Sequence, residues 1–492
     1  MGIHIALISF LINSVNTRGL ASYLKSHGHK TDCYFCPVEF NEQNLSMFMQ
    51  VLKERAIDLV GVSLVTDDYP SAVMVTNRIR EALGIPVIWG GAHANVRPEE
   101  CLLYADMICR GEGEEALLEL AHSMSTHERT DTSIKNIWFK TDQGIIRNEL
   151  RSLEEDLDKY PFPDFDLDSQ YVMDDKGFER VNEGHFNGEY SIMASRGCPY
   201  SCCYCYNSYR RKHYKGKGKY LRTRGIESVI QELIQARQKF AGLSKINFWD
   251  DSFVTRSIED FEIFQKLYAS KVGLPFFALI EPMAFDYRKI KLLRDCGLNK
   301  LQVGIQSGSE RVNREVYNRP VSNKKIIEVA NLINRLGIAV IYDFIFNNPY
   351  EKPDDIIKTI ELVMQFPKPF YLQGYNLIFY PGTEITERAL ADGFIAENNS
   401  VDASSTIQGA INSPTAMKTG TVVSNRFYSI CYDSREKEYL GLVFSLLCFK
   451  HIPKSLIRFF MKSGSRLKTS LLKAIIESYE ALSQLKSAIY SK

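Results

Sequence analysis

Short apolar runs alternate with segments of helical periodicity over the first quarter of the chain. The apolar runs, which we expect to be strands, lie at residues 3–10, 30–35, 59–65, 86–90 and 106–109. The segments between them, which we expect to be helices, carry apolar residues every three to four positions and lie at 17–27, 43–55, 70–83 and 98–104. This alternation predicts a doubly wound, Rossmann-like α/β domain with a mostly parallel sheet over residues 1–135.

A second series of apolar runs follows a more polar stretch. Residues 136–185 are polar and irregular, and Pro161 and Pro163 favour an extended chain, so we expect a linker there. Six strand-like runs with amphipathic helices between them then lie at 190–195, 245–249, 275–280, 300–305, 338–346 and 371–379. They predict a partial (βα)6 barrel over 186–398 with its chemistry at the carboxyl ends of the strands. Residues 399–492 are expected to form a helical C-terminal domain.

The composition is that of an ordinary globular protein. Of 492 residues 45% are hydrophobic and 24% charged, and a net charge of +1 argues against a general polyanion binder, so we expect no nucleic acid partner. No uncharged apolar stretch approaches the ~20 residues of a membrane-spanning helix, and no signal peptide is predicted. Eleven cysteines, an odd number, fit a reducing cytoplasm in which some thiols bind metal.

Four cysteines fall within eight residues at the start of the predicted barrel. Cys198, Cys202 and Cys205 form a CxxxCxxC motif, and Cys203 is an additional thiol. Three thiolates on one loop can hold three irons of a cubane cluster and leave the fourth iron open to a small molecule. The spacing alone leaves two alternatives open, a redox dithiol and a zinc site. The zinc site would take its fourth ligand from Cys203, His185 or His213.

Small, polar and glycine residues follow three strands of the first domain. In open α/β sheets ligands bind at the carboxyl ends of the strands, where the strand order reverses, and paired glycines allow a close approach. Gly90-Gly91 could also merely turn the chain. No GxGxxG follows the first strand, which disfavours a dinucleotide. The candidate ligand contacts are Ser63, Thr66, Gly90, Gly91, His93, Gly111 and Glu112. Cys33 and Cys36 are interpreted as ordinary buried thiols.

The cysteine motif, with Tyr204 before its last cysteine, resembles that of the radical S-adenosylmethionine (SAM) superfamily. The order Ser-Leu-Val-Thr at 63–66, Gly-Gly-Ala-His at 90–93 and Gly-Glu-Gly-Glu at 111–114 resembles the cobalamin-binding domain of many of its members. The resemblance implies a [4Fe–4S] cluster on Cys198, Cys202 and Cys205, together with SAM and cobalamin. It implies cobalamin contacts at the residues named above. It implies SAM contacts at Tyr204, Asp250, Asp251, Gln306, Ser307 and Arg319.

Several positions depart from the family pattern. The DxHxxG signature, which supplies a histidine to cobalt in other cobalamin proteins, is absent after the first strand, where residues 11–16 read Leu-Ile-Asn-Ser-Val-Asn. The sequence therefore does not identify the lower cobalt ligand. Gln306 stands where the family often has Glu, and Asn347, Asn348 and Tyr350 alter a loop that usually carries glycines. Helix capping by Asp251 or Ser252 is an alternative to a SAM contact.

The resemblance implies an enzyme that methylates an unactivated carbon of a small-molecule or lipid intermediate, using a 5′-deoxyadenosyl radical and methylcobalamin. A radical SAM cyclase or rearrangement enzyme with the same cofactors is the first alternative, and a non-catalytic metal- or cobalamin-binding regulator the second. An electron donor such as flavodoxin or ferredoxin is the expected partner. From Lys450 onward the chain contains nine Lys or Arg and only two acidic residues. This basic segment has two alternative roles, peripheral contact with a membrane or a helical cap over the barrel.

Overall fold

The computed structural model describes residues 2–126, 130–174, 176–395, 435–448 and 452–462, together with Leu472 and Ile476. The chain divides into two compact units. Unit 1 comprises Met1–Gly197, Arg210–Asn247 and Ser270–Leu274. Unit 2 comprises Cys198–Tyr209, Phe248–Ala269 and Pro275–Lys492.

A nine-stranded sheet forms the centre of unit 1, with the order β7-β6-β5-β4-β3-β1-β2-β8-β9. The six strands from β5 to β8 in that order are parallel, and β6, β7 and β9 add antiparallel edges. The strand order reverses between β1 and β3. The strands are β1 (His4–Ser9), β2 (Lys30–Phe35), β3 (Leu59–Ser63), β4 (Val87–Gly90), β5 (Met107–Cys109), β6 (Ile137–Thr141), β7 (Gly144–Arg147), β8 (Gln170–Asp174) and β9 (Gly177–Arg180).

The parallel strands are buried on both faces because helices cover them. The interior of β1 is apolar throughout, as expected of a strand covered on both sides. The covering helices are α1 (Val15–Ser26), α2 (Glu42–Glu54), α3 (Tyr69–Leu83), α4 (Ala92–Val96), α5 (Pro98–Cys101) and α6 (Glu114–Thr126). The predicted doubly wound domain is confirmed, with element bounds within a few residues of those expected.

The predicted linker at 136–185 is wrong for most of its length. Strands β6 to β9 extend the first sheet at both edges, and β8 pairs in parallel with β2. These strands are only four or five residues long, so their pattern carries little periodicity, and their pairing depends on the sheet already formed by the first domain. Only the segment around Pro161 and Pro163 has the extended, irregular backbone that the prolines predict.

Six strands with intervening helices make up the partial (βα)6 barrel, and this predicted fold is confirmed. Unit 1 contains the neighbouring strands β10 (Glu189–Ile192) and β13 (Lys245–Phe248), and a two-stranded ribbon of β11 (Ser195–Arg196) and β12 (Arg222–Thr223). Unit 2 contains the parallel strands β14 (Phe276–Ile280), β15 (Leu298–Gln306), β16 (Ala339–Phe346) and β17 (Tyr371–Asn376). The helices are α7 (Tyr206–His213), α8 (Ile226–Lys239), α9 (Ile258–Lys271), α10 (Tyr287–Cys296), α11 (Asn323–Arg335), α12 (Pro353–Val363) and α13 (Glu384–Ala391).

Two helices of the C-terminal region are described, α14 (Arg435–Ser445) and α15 (Lys454–Lys462). The Phe444 ring of α14 packs edge-to-face on Phe344 and Phe346 of β16, with ring centroids 5.1 and 5.0 Å apart. The predicted helical C-terminal domain is therefore present in part. Most of its basic residues, among them Lys450, Arg466, Lys468, Lys473, Lys486 and Lys492, lie outside the described residues. Within the described part of the chain, none of the helices has the length and apolar composition needed to cross a bilayer.

Candidate active site

The three motif cysteines lie on the loop that leads into α7. Cys198 and Cys202 are buried, and Cys205 is half-buried. Burial raises the pKa of Cys198, and it raises that of Cys205 to about 11. Buried thiols of this kind become thiolates when a cation stabilises their charge, which a bound metal does. The loop therefore presents three thiols suited to metal binding.

Cys203 is separated from the other three by its contacts. Its thiol donates a hydrogen bond to the Val316 carbonyl at 2.7 Å, and its backbone N–H donates to the Tyr317 carbonyl at 3.1 Å. It belongs to an apolar cluster with Val312, Val316, Tyr317, Ile345, Leu377 and Ile385. Cys203 is thus held as a structural side chain.

A single zinc ion finds no support in the described residues. None of their His, Cys, Asp and Glu side chains converge in groups of three around one point, as ligand distances of about 2.0–2.3 Å require. The two histidines considered as fourth ligands have other partners: His213 contacts Arg110, and His185 lies 3.0 Å from the Glu179 carboxylate. A cubane, by contrast, takes each cysteine at a separate iron.

Arg319 is buried beside the cysteine loop. Its Nη1 lies 3.6 Å from Cys202 Sγ and 3.3 Å from the Tyr204 hydroxyl, and its Nη2 donates to the Gly304 carbonyl at 2.6 Å. Its Nε finds no hydrogen-bond partner among the described residues. Buried N–H groups are nearly always paired, so a charged donor left over at this position fits an anionic ligand group such as the SAM carboxylate.

Acidic side chains stand close to the same loop. Burial raises the pKa of Cys198, and the charges of Glu281 and Asp251 raise it further. Asp250 is buried and Asp251 exposed, while the Ser252 hydroxyl donates to Glu281 Oε2 at 2.9 Å. Ser252 makes no side-chain capping bond, so the capping alternative fails for it. The loop is therefore flanked by a cation and by carboxylates, as the two charged ends of an amino acid require.

The carboxyl end of β15 brings Gln306 and Arg319 together around Gly304. A Cβ at Gly304 would lie 2.6 Å from Gln306 Nε2 and 3.8 Å from Arg319 Nη2. Gln306 adopts a φ of +68°, a region that disfavours side chains, and strain of this kind often marks functional positions. The Ser307 hydroxyl, in contrast, donates to Glu351 Oε1 at 3.2 Å inside a buried network. The Ser307 side chain is thus engaged within the protein, and its contact with SAM stays a prediction.

Asp343 is a functional candidate that the sequence interpretation missed. Its Oδ2 accepts a hydrogen bond from Gln302 Nε2 at 2.7 Å, whereas its buried Oδ1 has no partner among the described residues. Phe344 and Phe346 face α14, so the alternation of β16 directs Asp343 to the opposite face, inside the barrel. Burial raises the pKa of Asp343 to about 7. An acid within an apolar strand was the signal available in the sequence.

In unit 1 the predicted cobalamin contacts gather at the carboxyl ends of β3, β4 and β5. Gly91 has a φ of +93°, and a Cβ there would lie 2.5 Å from the Leu64 carbonyl oxygen, whereas one at Gly90 would meet nothing closer than 3.8 Å. His93 is buried, with Nδ1 3.2 Å from Thr66 Oγ1, and burial lowers its pKa to about 4. His93 is therefore a neutral, inward-facing side chain.

The Glu112 carboxylate is held by arginines. Arg222 donates to it at 2.5 Å, and Arg196 and Arg210 lie 3.3 and 3.4 Å away. Burial opposes ionisation, but these partners outweigh it and lower the pKa of Glu112 to about 2. Any contact of Glu112 with cobalamin therefore involves its backbone. A Cβ at Gly111 would lie 2.0 Å from the Tyr214 hydroxyl, so this glycine is required by packing.

Two exposed aliphatic residues at the same sheet edge were also missed. Leu11 and Val65 are 64% and 43% exposed. Each lies two residues beyond Ser9 and Ser63, which are register partners on the neighbouring strands β1 and β3. Aliphatic side chains exposed at the reversal point of the sheet fit a large ring with apolar faces, such as the corrin of cobalamin.

Comparisons with known proteins agree with this geometry. Residues 5–121 match the family model of the B12 binding domain, and residues 192–363 match that of the Radical SAM superfamily. An uncharacterised methyltransferase of Pyrococcus horikoshii is 26% identical over 358 residues, which cover 71% of this chain and 73% of the relative. The cytidylyl-2-hydroxyethylphosphonate methyltransferase of Streptomyces wedmorensis is 22% identical over 74% of this chain and 73% of the relative.

Two further comparisons extend the picture. The anaerobic magnesium-protoporphyrin IX monomethyl ester cyclase of Synechocystis sp. is 21% identical over 57% of this chain and 54% of the relative. The fold is similar to that of the radical SAM methyltransferase TsrM from Kitasatospora setae, solved with cobalamin and a [4Fe–4S] cluster. That similarity has a TM-score of 0.66 at 15% identity, over 98% of this chain and 100% of the other. The chain therefore belongs to the radical SAM superfamily, in the branch that carries a B12-binding domain, and its cofactors are a [4Fe–4S] cluster, SAM and cobalamin.

Proposed function

We propose that this protein is a cobalamin-dependent radical SAM methyltransferase that places a SAM-derived methyl group on an unactivated carbon of a small-molecule or lipid intermediate. One observation carries the proposal: charged side chains of both signs flank a single loop of three thiols. The buried Arg319, with a spare N–H, lies beside Cys202, and the carboxylates of Glu281 and Asp251 act on Cys198. The B12-binding domain at residues 5–121 supports the cobalamin dependence of the proposed reaction.

The cluster and SAM supply the one-electron chemistry that opens a carbon–hydrogen bond, and cobalamin supplies the methyl group. The chain orients these groups. Cys198, Cys202 and Cys205 hold the cluster, Arg319 binds the SAM carboxylate, and Glu281 with Asp251 attracts the amino group. Gln306 and Asp343 accept hydrogen bonds from the ribose hydroxyls, for which the unpartnered Asp343 Oδ1 is suited.

In unit 1, Leu11 and Val65 would support the corrin ring, while Gly91 lets the loops after β3 and β4 approach each other closely. Ser63, Thr66, Gly90 and the backbone of Gly111 complete the proposed contact set. His93 stays in the proposed contact set, with its Nδ1 3.2 Å from Thr66 Oγ1 and its Nε2 without a partner among the described residues.

The proposal includes a cytoplasmic location and an electron donor of the flavodoxin or ferredoxin type. For the C-terminal region, membrane contact is the less favoured of the two proposed roles. Ile457 and Phe460 of α15 are buried, so their apolar side chains pack inside the protein, and only Phe459 of these three is exposed. A helical cap agrees better with this burial.

The test needs no knowledge of the substrate. Anaerobically reconstituted protein with cobalamin, a strong chemical reductant and SAM labelled in its methyl group should transfer label to cobalamin and form an equal amount of S-adenosylhomocysteine. A cyclase, which the Synechocystis relative makes the second candidate, would leave the label in SAM. Single Ala variants of Cys198, Cys202 and Cys205 should lose the cluster iron, and Cys203→Ala should keep it. A cluster retained in the three variants would overturn the ligand assignment.

A further inference from the structure

A lysine of the C-terminal helix α14 is buried in unit 2. Lys437 is only 6% exposed, and a lysine is almost never buried this far unless its ammonium group has a partner. Its Nζ donates a hydrogen bond to the Asn348 carbonyl oxygen at 3.2 Å. Asn348 lies on the loop that follows β16. The lysine therefore joins the C-terminal helix to the carboxyl end of a barrel strand, where the chemistry of such barrels is located.

Asn348 is held on several sides at once. It is fully buried, and its carbonyl oxygen also accepts a hydrogen bond from the Glu351 N–H at 3.0 Å. Its Oδ1 accepts from the Tyr350 N–H at 3.0 Å, and its Nδ2 donates to the Tyr317 hydroxyl at 3.1 Å. Because backbone and side chain are fixed together in a close-packed interior, a shift of the Asn348 carbonyl also moves the side-chain amide.

Tyr317 carries these contacts to the cysteine loop. It is fully buried, and its carbonyl oxygen accepts a hydrogen bond from the backbone N–H of Cys203 at 3.1 Å. Its ring packs edge-to-face on the ring of Tyr204, with the ring centroids 5.1 Å apart. The Tyr204 hydroxyl in turn lies 3.3 Å from Arg319 Nη1. One buried tyrosine thus contacts two consecutive residues of the loop, and the second of them contacts Arg319.

We propose that Lys437 is a positioning residue for the SAM site: it holds Asn348 and, through Tyr317, sets the place of Tyr204 beside Arg319. Lys437 acts only through these residues and does not itself contact SAM. The inference rests on the proposed function, because it requires that Arg319 binds the SAM carboxylate. It gives the C-terminal region a part in the active site, since α14 supports the loop after β16.

The experiment uses the full chain, reconstituted anaerobically with its cluster. Lys437→Met removes the ammonium donor and keeps most of the side-chain volume, whereas Lys437→Arg keeps a charged donor. Tyr317→Phe removes the hydroxyl that Asn348 contacts, and a double variant combines it with Lys437→Met. The control is Lys217→Met, which also removes a lysine donor from a backbone carbonyl, that of Leu150 at 2.8 Å, but in unit 1.

Three quantities are measured for each variant. They are the dissociation constant of SAM by equilibrium dialysis, the electron paramagnetic resonance spectrum of the reduced cluster with SAM bound, and the midpoint of thermal unfolding. Lys437→Met and Tyr317→Phe should each weaken SAM binding about threefold to tenfold and alter the spectrum. Lys437→Arg should recover most of the affinity, and Lys217→Met should match the wild type in affinity and spectrum.

The double variant tests whether the two residues act in one route. If they do, their effects are not additive, and the double variant should bind SAM about as weakly as the weaker of the two single variants. Losses that multiply would overturn the route. Wild-type affinity and spectrum in Lys437→Met would also overturn the positioning role, whether or not the midpoint of unfolding falls, and would leave the proposed function intact.

Two further outcomes complete the test. Tyr317→Phe leaves α14 unaltered, so unchanged SAM affinity and spectrum in that variant would overturn the role even where Lys437→Met fails to fold. A wild-type protein that holds its cluster but binds no SAM would overturn the SAM contacts of the proposed function, and this inference with them.

Discussion

The Arg319 guanidinium lies 3.6 Å from Cys202 Sγ while its Nη2 is fixed on the Gly304 carbonyl, so one side chain joins the cysteine loop to the end of β15. Its Nε remains unpaired among the described residues. Because Gln306 folds over the same glycine, the arginine is positioned by backbone on one side and by the cysteine loop on the other.

Replacing Arg319 with Gln should weaken SAM binding by about tenfold to a hundredfold, since a hydrogen bond to a charged group contributes about 1.5–3 kcal/mol. Arg319→Lys should recover only part of the loss, because an ammonium lacks the planar fork. Equilibrium binding of SAM to the reconstituted protein measures both. Arg311→Lys is the matched control, since Arg311 pairs with Asp355 in the same unit. Wild-type affinity in Arg319→Gln, with iron content unchanged, would remove Arg319 from the site.

We expect SAM binding to depend on pH through Asp343. Its folded pKa of about 7 lies above the usual value for aspartate, so the carboxyl becomes protonated as the pH falls through 7. Protonation removes a charged acceptor from the ribose hydroxyls, and the dissociation constant of SAM should therefore rise between pH 8 and pH 6. Asp343→Asn should bind SAM more weakly at pH 8 and show a flat profile over this range. A profile unchanged by the substitution would assign the pH dependence to another group.

How much of this was visible in the sequence depends on the length and burial of each element. Strands such as β1 and β16 are six and eight residues long and largely apolar, and their positions were predicted to within two residues. Strands β6 and β7 were missed because they are only five and four residues long, although they pair with each other as neighbours in the chain. Strand β8 was missed because its parallel partner β2 lies far earlier in the chain. Local pattern carries no information about such pairing.

The residues of the candidate site likewise differ in how far the local sequence identifies them. The cysteine motif is local, so its spacing alone identified Cys198, Cys202 and Cys205. Asp343 is a candidate only because it lies within an apolar strand of the barrel, and the Glu112 carboxylate is engaged because three arginines, the farthest 110 positions along the chain, converge on it. Both outcomes depend on long-range packing, which a sequence pattern does not encode.

Gly91 and Gly90 differ in what their backbones tolerate. Gly91→Ala would place a Cβ 2.5 Å from the Leu64 carbonyl oxygen at a φ of +93°, whereas Gly90→Ala meets only ordinary contacts at 3.8 Å. We expect Gly91→Ala to lose about 1–3 kcal/mol of unfolding free energy and to bind cobalamin weakly. Gly90→Ala should stay near the wild type in stability. Chemical denaturation and cobalamin retention on gel filtration measure the two effects, and equal behaviour of the variants would contradict the packing argument.

If Val65 and Leu11 support the corrin ring as we propose, the chain would offer aliphatic side chains at that position and no atom that coordinates cobalt. Reduced to the paramagnetic Co(II) state, wild-type protein labelled with ¹⁵N should show no ¹⁵N splitting in its electron paramagnetic resonance spectrum. Val65→His should introduce a doublet from ¹⁵N, because imidazole nitrogen is a good ligand for this metal. Leu103→His is the control, since Leu103 is likewise an exposed aliphatic residue of unit 1 but lies outside the β1–β3 edge. A ¹⁵N doublet in the wild type would show that a nitrogen of this chain already occupies the position.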